Sequence, residues 1–333
     1  MKVAIFSTKP YDKETLHSYD NDEVDLSYFE VPLNIATVHY AQGSDAVSAF
    51  VNDELDEATI EKLAEYNIKL IALRCAGFNN VDLAAAAKFG IRIVRVPAYS
   101  PYAVAEHTIG LMLALNRKLY KAYNRVREGN FALNGLLGFD MHGKTVGIIG
   151  AGRIGFLVAE RLKVFGCEIL IYDPYLCKNC DELGFKQVSL EQLYAESHII
   201  SLHCPLTDQT KNMINDNALN QMRANVMIIN TGRGGLIDTK ALIKSLKSRK
   251  VGYVGLDVYE EEGALFFEDH SNDIIMDDKF ERLLTFPNVL VTGHQAYFTH
   301  EALEHIAETT IQNLIAFKYQ RPLTNEVPYQ PAS

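Results

Sequence analysis

The sequence predicts an α/β protein of two domains, with a doubly wound parallel sheet inserted into a second α/β domain. Three observations lead there. Short apolar strands alternate with helical stretches, the pattern of parallel sheets. The alternation runs twice, broken near residues 138–143. A helical segment then follows the second series, so the chain returns to the first domain after completing the second. The length of 333 residues agrees, since domains of roughly 100–200 residues are usual.

Strands of the first series fall at 3–6, 27–29, 46–51, 70–74 and 91–94, with helices at 57–66 and 83–89, the second ended by Gly90 as a C-terminal cap. Ser100-Pro101 opens a long helix to about residue 119, with serine at the cap and proline at the first helical position. That helix is apolar around most of its circumference and must be buried, between domains or against another subunit; a subunit interface is the expectation. The second series places strands at 145–149, 168–172, 198–202, 226–230, 253–257 and 289–291, six in all. A last helix at about 300–319 precedes a Pro-containing tail. The expected boundaries are 1–99 plus 299–333 for the first domain and 100–298 for the second.

Acidic residues outnumber basic ones by 42 to 32 and the basic ones are scattered, which excludes nucleic acid and anionic membrane as partners. The start, Met1-Lys-Val-Ala-Ile-Phe6, reads as a strand rather than a signal peptide. The most apolar run, 108–115, is stopped by Asn116, Arg117 and Lys118, short of the roughly 18 residues that span a bilayer. Five cysteines, an odd number, point to reduced thiols and a cytoplasmic location. Cys177-Lys-Asn-Cys180 offers two ligands where a structural zinc needs four, so it reads as a loop with reduced thiols and no metal is expected.

The run Val146-Gly-Ile-Ile-Gly150-Ala-Gly152-Arg-Ile-Gly155 puts G-x-G-x-x-G directly after an apolar strand and before a helix at 156–165. Gly150 permits the tight turn, Gly152 lets backbone approach a pyrophosphate, and Gly155 lets helix and strand pack closely. The helix N-terminus supplies free N–H groups and a positive dipole. Asp173 closes the next strand 18 residues beyond Gly155. Its carboxylate suits the ribose hydroxyls and would repel a 2′-phosphate, which makes this a Rossmann domain for NAD rather than NADP.

Three further strand ends carry chemistry, at the carboxyl edge where ligands bind in such sheets. Arg233 sits in Thr231-Gly-Arg-Gly-Gly235, where a planar guanidinium can hold a carboxylate through two parallel hydrogen bonds. Asp257-Val-Tyr-Glu260-Glu261-Glu262 offers three acids, any of which could orient a base. His294 ends the last strand and suits proton exchange near neutral pH. In the first domain, the turn Arg74-Cys-Ala76-Gly77-Phe-Asn-Asn80 presents backbone N–H groups that could hold a carboxylate.

With these residues in place, the chain resembles the D-isomer specific 2-hydroxyacid dehydrogenase family, most closely its D-lactate dehydrogenase branch. The resemblance runs nearly end to end. It rests on Arg74-Cys-Ala-Gly-Phe-Asn-Asn-Val-Asp82, Val96-Pro-Ala-Tyr-Ser-Pro101, Ala105-Glu-His107, the glycine motif, Asn230-Thr-Gly-Arg-Gly-Gly235, Leu256-Asp-Val-Tyr-Glu260 and Gly293-His-Gln-Ala-Tyr-Phe-Thr299.

The resemblance implies a flavodoxin-like substrate domain around the Rossmann domain. It makes Arg233 the carboxylate-binding arginine, His294 the acid/base and Glu262 its paired acid. The implied NAD-binding set is Gly150, Gly152, Arg153, Ile154, Gly155, Asp173, Cys204, Pro205, Thr231, Gly232, Arg233 and Asp257, with Asp257 on the nicotinamide amide. Ala76, Gly77, Tyr99, Arg233, His294 and Tyr297 match substrate positions. Glutamate at 262 speaks against the formate dehydrogenase branch, which has glutamine there. The implied reaction is NADH-dependent reduction of pyruvate to D-lactate by a homodimer, or a tetramer, built around the helix at Pro101. A bulkier 2-oxo acid, phenylpyruvate or 2-oxoisocaproate, is the alternative substrate, and an NAD-sensing corepressor is the reading from another class.

Overall fold

The computed structural model describes residues 1–19, 22–175, 180 and 182–329. The chain divides into two compact units, Met1–Ser100 with Phe298–Ser333, and Pro101–Tyr297.

The first unit is built on five parallel strands, β1 (Lys2–Ile5), β2 (Asp25–Tyr28), β3 (Ala46–Ala49), β4 (Leu70–Leu73) and β5 (Arg92–Val94). They lie in the order β2-β1-β3-β4-β5, the flavodoxin order. Helices α1 (Pro10–Ser18), α2 (Glu57–Glu65) and α3 (Leu83–Phe89) connect them; α1 had no counterpart in the sequence expectations. Successive side chains of a strand point to opposite faces. Val3 and Ile5 therefore pack with Leu16, Ile311 and Leu314 on one face, and Ala4 and Phe6 with Ile60, Leu63 and Ala85 on the other. Asp56 and Asp82 cap α2 and α3 by accepting from the N–H groups of Thr59 and Ala85.

The second unit begins with α4 (Pro101–Arg117) and α5 (Leu119–Arg127). Its strands are β6 (Thr145–Ile149), β7 (Glu168–Tyr172), β8 (Lys186–Gln187), β9 (Ile199–Leu202), β10 (Val226–Asn230), β11 (Val251–Leu256) and β12 (Val289–Val291). Between them run α6 (Arg153–Val164), α7 (Leu190–Glu196), α8 (Asp216–Gln221), α9 (Thr239–Lys247) and α10 (Asp278–Leu284). All strands are parallel, in the order β12-β11-β10-β9-β6-β7-β8, the doubly wound pattern with the switch point between β6 and β9. The sheet has seven strands where six were expected, because β8 is a two-residue edge strand with exposed side chains and no apolar signal. The chain then returns to the first unit as α11 (His300–Lys318), whose N-cap Thr299 accepts from the Ala302 N–H.

Four further expectations are corrected. The helix opened by Pro101 stops at Arg117: Lys118 takes a left-handed conformation, φ +51°, and a separate helix follows. Most of the apolar girdle of α4 is covered within its own unit. Ala105, Ile109, Met112 and Leu115 pack on Val146, Ile148, Met227 and Ile229 of the unit's own sheet. Full burial of Met112 or Leu115 contributes about 1.5–3 kcal/mol each. The helix after the glycine motif starts at Arg153 rather than 156, with Gly152 as its N-cap. Cys75, Cys167 and Cys204 are in the thiol form, whereas Cys180 is disulfide-bonded, contrary to the reduced-loop reading; Cys177 lies outside the described residues.

Candidate active site

The carboxyl ends of β6 and β7 form the first part of the site. Gly150 has φ +95°, and a Cβ there would lie 2.6 Å from the Cys204 nitrogen, so the turn excludes any side chain. A Cβ at Gly155 would fall 2.0 Å from the Gly150 carbonyl oxygen. Gly152 differs, because a Cβ there would meet no atom of the described residues within 4 Å. Its bare face opens outward, beside an α6 N-terminus whose cap offers no side-chain acceptor. The N–H groups of Arg153, Ile154 and Gly155 therefore remain available at a positive helix end, a cradle that fits a pyrophosphate.

Asp173 flanks that cradle, with Oδ2 accepting from the Ala151 N–H at 2.7 Å and Oδ1 from the Tyr175 N–H at 2.9 Å. The carboxylate is thus fixed to the glycine turn and keeps lone pairs for ribose hydroxyls. Beneath the turn, burial pushes the Cys204 thiol up to about 11 and the His203 imidazole down to about 4, so both are neutral at physiological pH. Pro205 is exposed next to them.

At the end of β10, Asn230 clamps the arginine turn. Its Oδ1 accepts from the Gly232 N–H at 3.0 Å, and its Nδ2 donates to the Arg233 carbonyl at 2.9 Å. Thr231 joins Thr108 of α4 through a hydroxyl pair at 2.8 Å. A Cβ at Gly234 would lie 2.0 Å from the Tyr259 carbonyl, so glycine there lets the Arg233 turn sit against the segment carrying Glu262. Arg233 is half-buried, and among the described residues its guanidinium makes one hydrogen bond, to the Gly232 carbonyl at 2.8 Å, and no ion pair. Four of its five donors are left for a ligand.

Beyond β11 the acidic cluster divides. Glu260 and Glu261 both bind the Lys279 ammonium of α10, the former at 2.8 Å. Glu262 accepts from the Tyr259 N–H at 2.8 Å through Oε2, and its Oε1 lies 2.8 Å from His294 Nδ1. An ionised carboxylate only accepts, so Nδ1 carries the proton of that bond and Nε2 is the working atom. His294 Nε2 has no hydrogen-bond partner among the described residues. The ring is 14 % exposed and the Phe267 ring stands 5.7 Å from it.

His294 itself sits at φ +52°, a left-handed conformation that costs a non-glycine residue about 1–2 kcal/mol. Asp257 holds it there. Its carbonyl accepts from the His294 N–H at 2.7 Å, and its carboxylate from the N–H groups of Gln295 and Ala296, both at 2.9 Å. The Thr292 hydroxyl donates to the same carboxylate, and His107 Nε2 lies 3.4 Å away. Burial works to raise the Asp257 carboxyl, but the bonds from His107, Thr292 and Ala296 outweigh it and hold the group below its ordinary range. Asp257 is wholly buried and both its oxygens accept from the loop that carries His294. Asn230, Lys279, Phe267 and His107 are contributors that sequence reasoning missed. Tyr297 is buried at the end of this unit.

In the other unit, the turn after β4 is held by Arg95, which donates to the Ala76 carbonyl at 2.7 Å, and by the Cys75 thiol, which donates to the Gly77 carbonyl at 3.2 Å. Among the described residues, the N–H groups of Ala76 and Gly77 donate to no acceptor. Tyr99 lies half-buried after β5.

Known proteins bear on this geometry. The family model described as D-isomer specific 2-hydroxyacid dehydrogenase, NAD binding domain, matches residues 109–296. A 2-hydroxyacid dehydrogenase homolog of Haemophilus influenzae is 52 % identical over 328 residues, covering 98 % of this chain and 99 % of its own. D-lactate dehydrogenase of Escherichia coli is 50 % identical over 328 residues, covering 98 % of this chain and 100 % of its own. The solved structure of the pyruvate reductase of Chlamydomonas reinhardtii superposes with a TM-score of 0.92 at 45 % identity, covering 98 % of each chain.

Proposed function

The chain belongs to the D-isomer specific 2-hydroxyacid dehydrogenase family, and on that premise we propose that it is an NAD-dependent D-lactate dehydrogenase that reduces pyruvate to D-lactate. One observation carries the reading: among the described residues His294 presents an unpartnered Nε2 while Glu262 holds its Nδ1 at 2.8 Å, at the same sheet edge as an Arg233 guanidinium without an ion pair.

Gly150, Gly152 and the α6 N-terminus would hold the pyrophosphate of NAD, and Asp173 a ribose. When bound, NADH supplies the hydride that reduces the keto carbon. Arg233 binds the pyruvate carboxylate and neutralises its charge. As the carbonyl oxygen gains alkoxide character, His294 gives it the Nε2 proton. Glu262 stabilises the imidazolium before that transfer and keeps Nδ1 protonated after it, so Nε2 is the atom that loses and regains the proton. Asp257, through three successive N–H groups, keeps the ring on this line.

Exposed Leu119, Tyr123, Val126, Phe131, Leu133 and Leu137 on α5 and the segment after it support a homodimer formed by this arm. The test of the catalytic reading is NADH oxidation with a series of 2-oxo acids. Pyruvate is expected to give the highest kcat/KM. A tenfold preference for phenylpyruvate or 2-oxoisocaproate would overturn the lactate assignment, and no turnover on any of them would overturn the enzyme reading.

A further inference from the structure

The second unit contains a cavity of about 590 Å³ that the reaction does not use. It lies at the amino ends of the central strands, where Lys144 precedes β6, His198 precedes β9, Asn225 precedes β10 and Asn288 precedes β12. Arg233 and His294 stand at the opposite, carboxyl edge.

Its lining is strongly basic. Lys118 and Lys121, from the start of α5, face it together with Lys144, Arg223 and His198, and no carboxylate of the described residues lines it. This is anomalous in a chain whose net charge is −10. Among the described residues none of these four Lys and Arg side chains makes an ion pair. Lys118 donates to the Leu137 carbonyl, and the backbone N–H of Thr145 donates to His198 Nδ1 at 3.1 Å. A neutral His198 therefore carries its proton on Nε2 and adds a donor. Lys121 is held below its ordinary range by burial and by Lys118 and Arg125; His198 is lowered by burial, Arg223 and Lys144. In both, burial is the larger cause and the neighbouring cations add to it. Tyr120, Phe139 and Tyr253 complete the walls.

Cations brought together from three chain segments without counter-charges among the described residues repel one another, a cost that an anion in their midst removes. The cavity is concave and of small-molecule size, which disfavours a duplex or an extended acidic surface. We propose that it binds a small polyanion, a metabolite bearing two or more phosphate or carboxylate groups.

Inorganic pyrophosphate is the probe, measured by equilibrium dialysis against the full-length protein with NADH saturating, so that the glycine turn at α6 is occupied. One pyrophosphate per chain is expected to bind, more weakly as salt rises. Replacing both Lys144→Gln and Arg223→Gln is expected to weaken it about tenfold or more, roughly the effect of removing two charged partners, while pyruvate turnover without pyrophosphate stays within about twofold. Should the double variant fail to fold, Arg223→Gln alone, at an exposed position, is expected to weaken binding severalfold. Binding that NADH abolishes, binding undiminished in the variants, or no binding at millimolar probe would each overturn the proposal.

Discussion

Arg233→Gln isolates the role given to the arginine turn. The guanidinium has one hydrogen bond, to Gly232, and no carboxylate partner among the described residues, so its loss leaves no internal ion pair broken. What it removes is the bidentate grip on the substrate carboxylate, two charge-assisted hydrogen bonds of about 1.5–3 kcal/mol each. Glutamine can return one neutral hydrogen bond, worth about 1 kcal/mol. The net loss of about 2–5 kcal/mol corresponds to a fall of roughly 30- to 5,000-fold in kcat/KM for pyruvate. Lysine keeps the charge without the fork and is expected to lie between the two. Initial rates over a pyruvate series give kcat/KM, and NADH fluorescence gives cofactor Kd. A loss under tenfold, or a parallel loss of NADH affinity, would refute the assignment of Arg233 to the carboxylate.

Three other outcomes follow from the geometry. His294→Gln is expected to lower kcat by about 10²–10⁴ while NADH Kd measured by fluorescence stays within about threefold. Asp173→Ala is expected to shift the ratio of kcat/KM for NADH over NADPH by about tenfold or more toward NADPH, since it removes the ribose acceptor and its repulsion of a 2′-phosphate; an unchanged ratio counts against that role. Asp257 has a folded-state carboxyl lowered from 3.8, so it stabilises the fold above that value and the contribution is lost as pH falls through the lower, folded value. Thermal melts of Asp257→Asn below about pH 4 should therefore fall less steeply with acid than the wild type, and equal slopes would contradict the bonding described for its carboxylate.

Sequence patterning foresaw the two sheets because their strands are buried on both faces and read as apolar runs, as Val226-Met-Ile-Ile in β10 does. It missed β8 and α1, where Lys186-Gln187 and the largely polar Pro10–Ser18 bury too little to leave a pattern. It also ran α4 one residue pair too far, since a left-handed lysine carries no breaker signal. The glycine turn, Arg233 and His294 were legible as chemistry at strand ends. The choice among Glu260, Glu261 and Glu262 was not legible from the residues alone and rested on the family resemblance. Structurally it is made by Lys279, which takes the first two, some twenty residues away. Asp257 shows another limit: nothing in a strand-end acid foretells that its oxygens accept from Thr292, Gln295 and Ala296 and so hold the His294 loop. The basic cavity was invisible because its cations come from segments that only the fold brings together.

The most direct test is the configuration of the lactate formed from pyruvate and NADH by the wild-type protein, read with stereospecific detection of each enantiomer. Hydride delivery to one face of a carbonyl fixed by Arg233 and protonated by His294 predicts D-lactate alone. L-lactate or a racemate would contradict it.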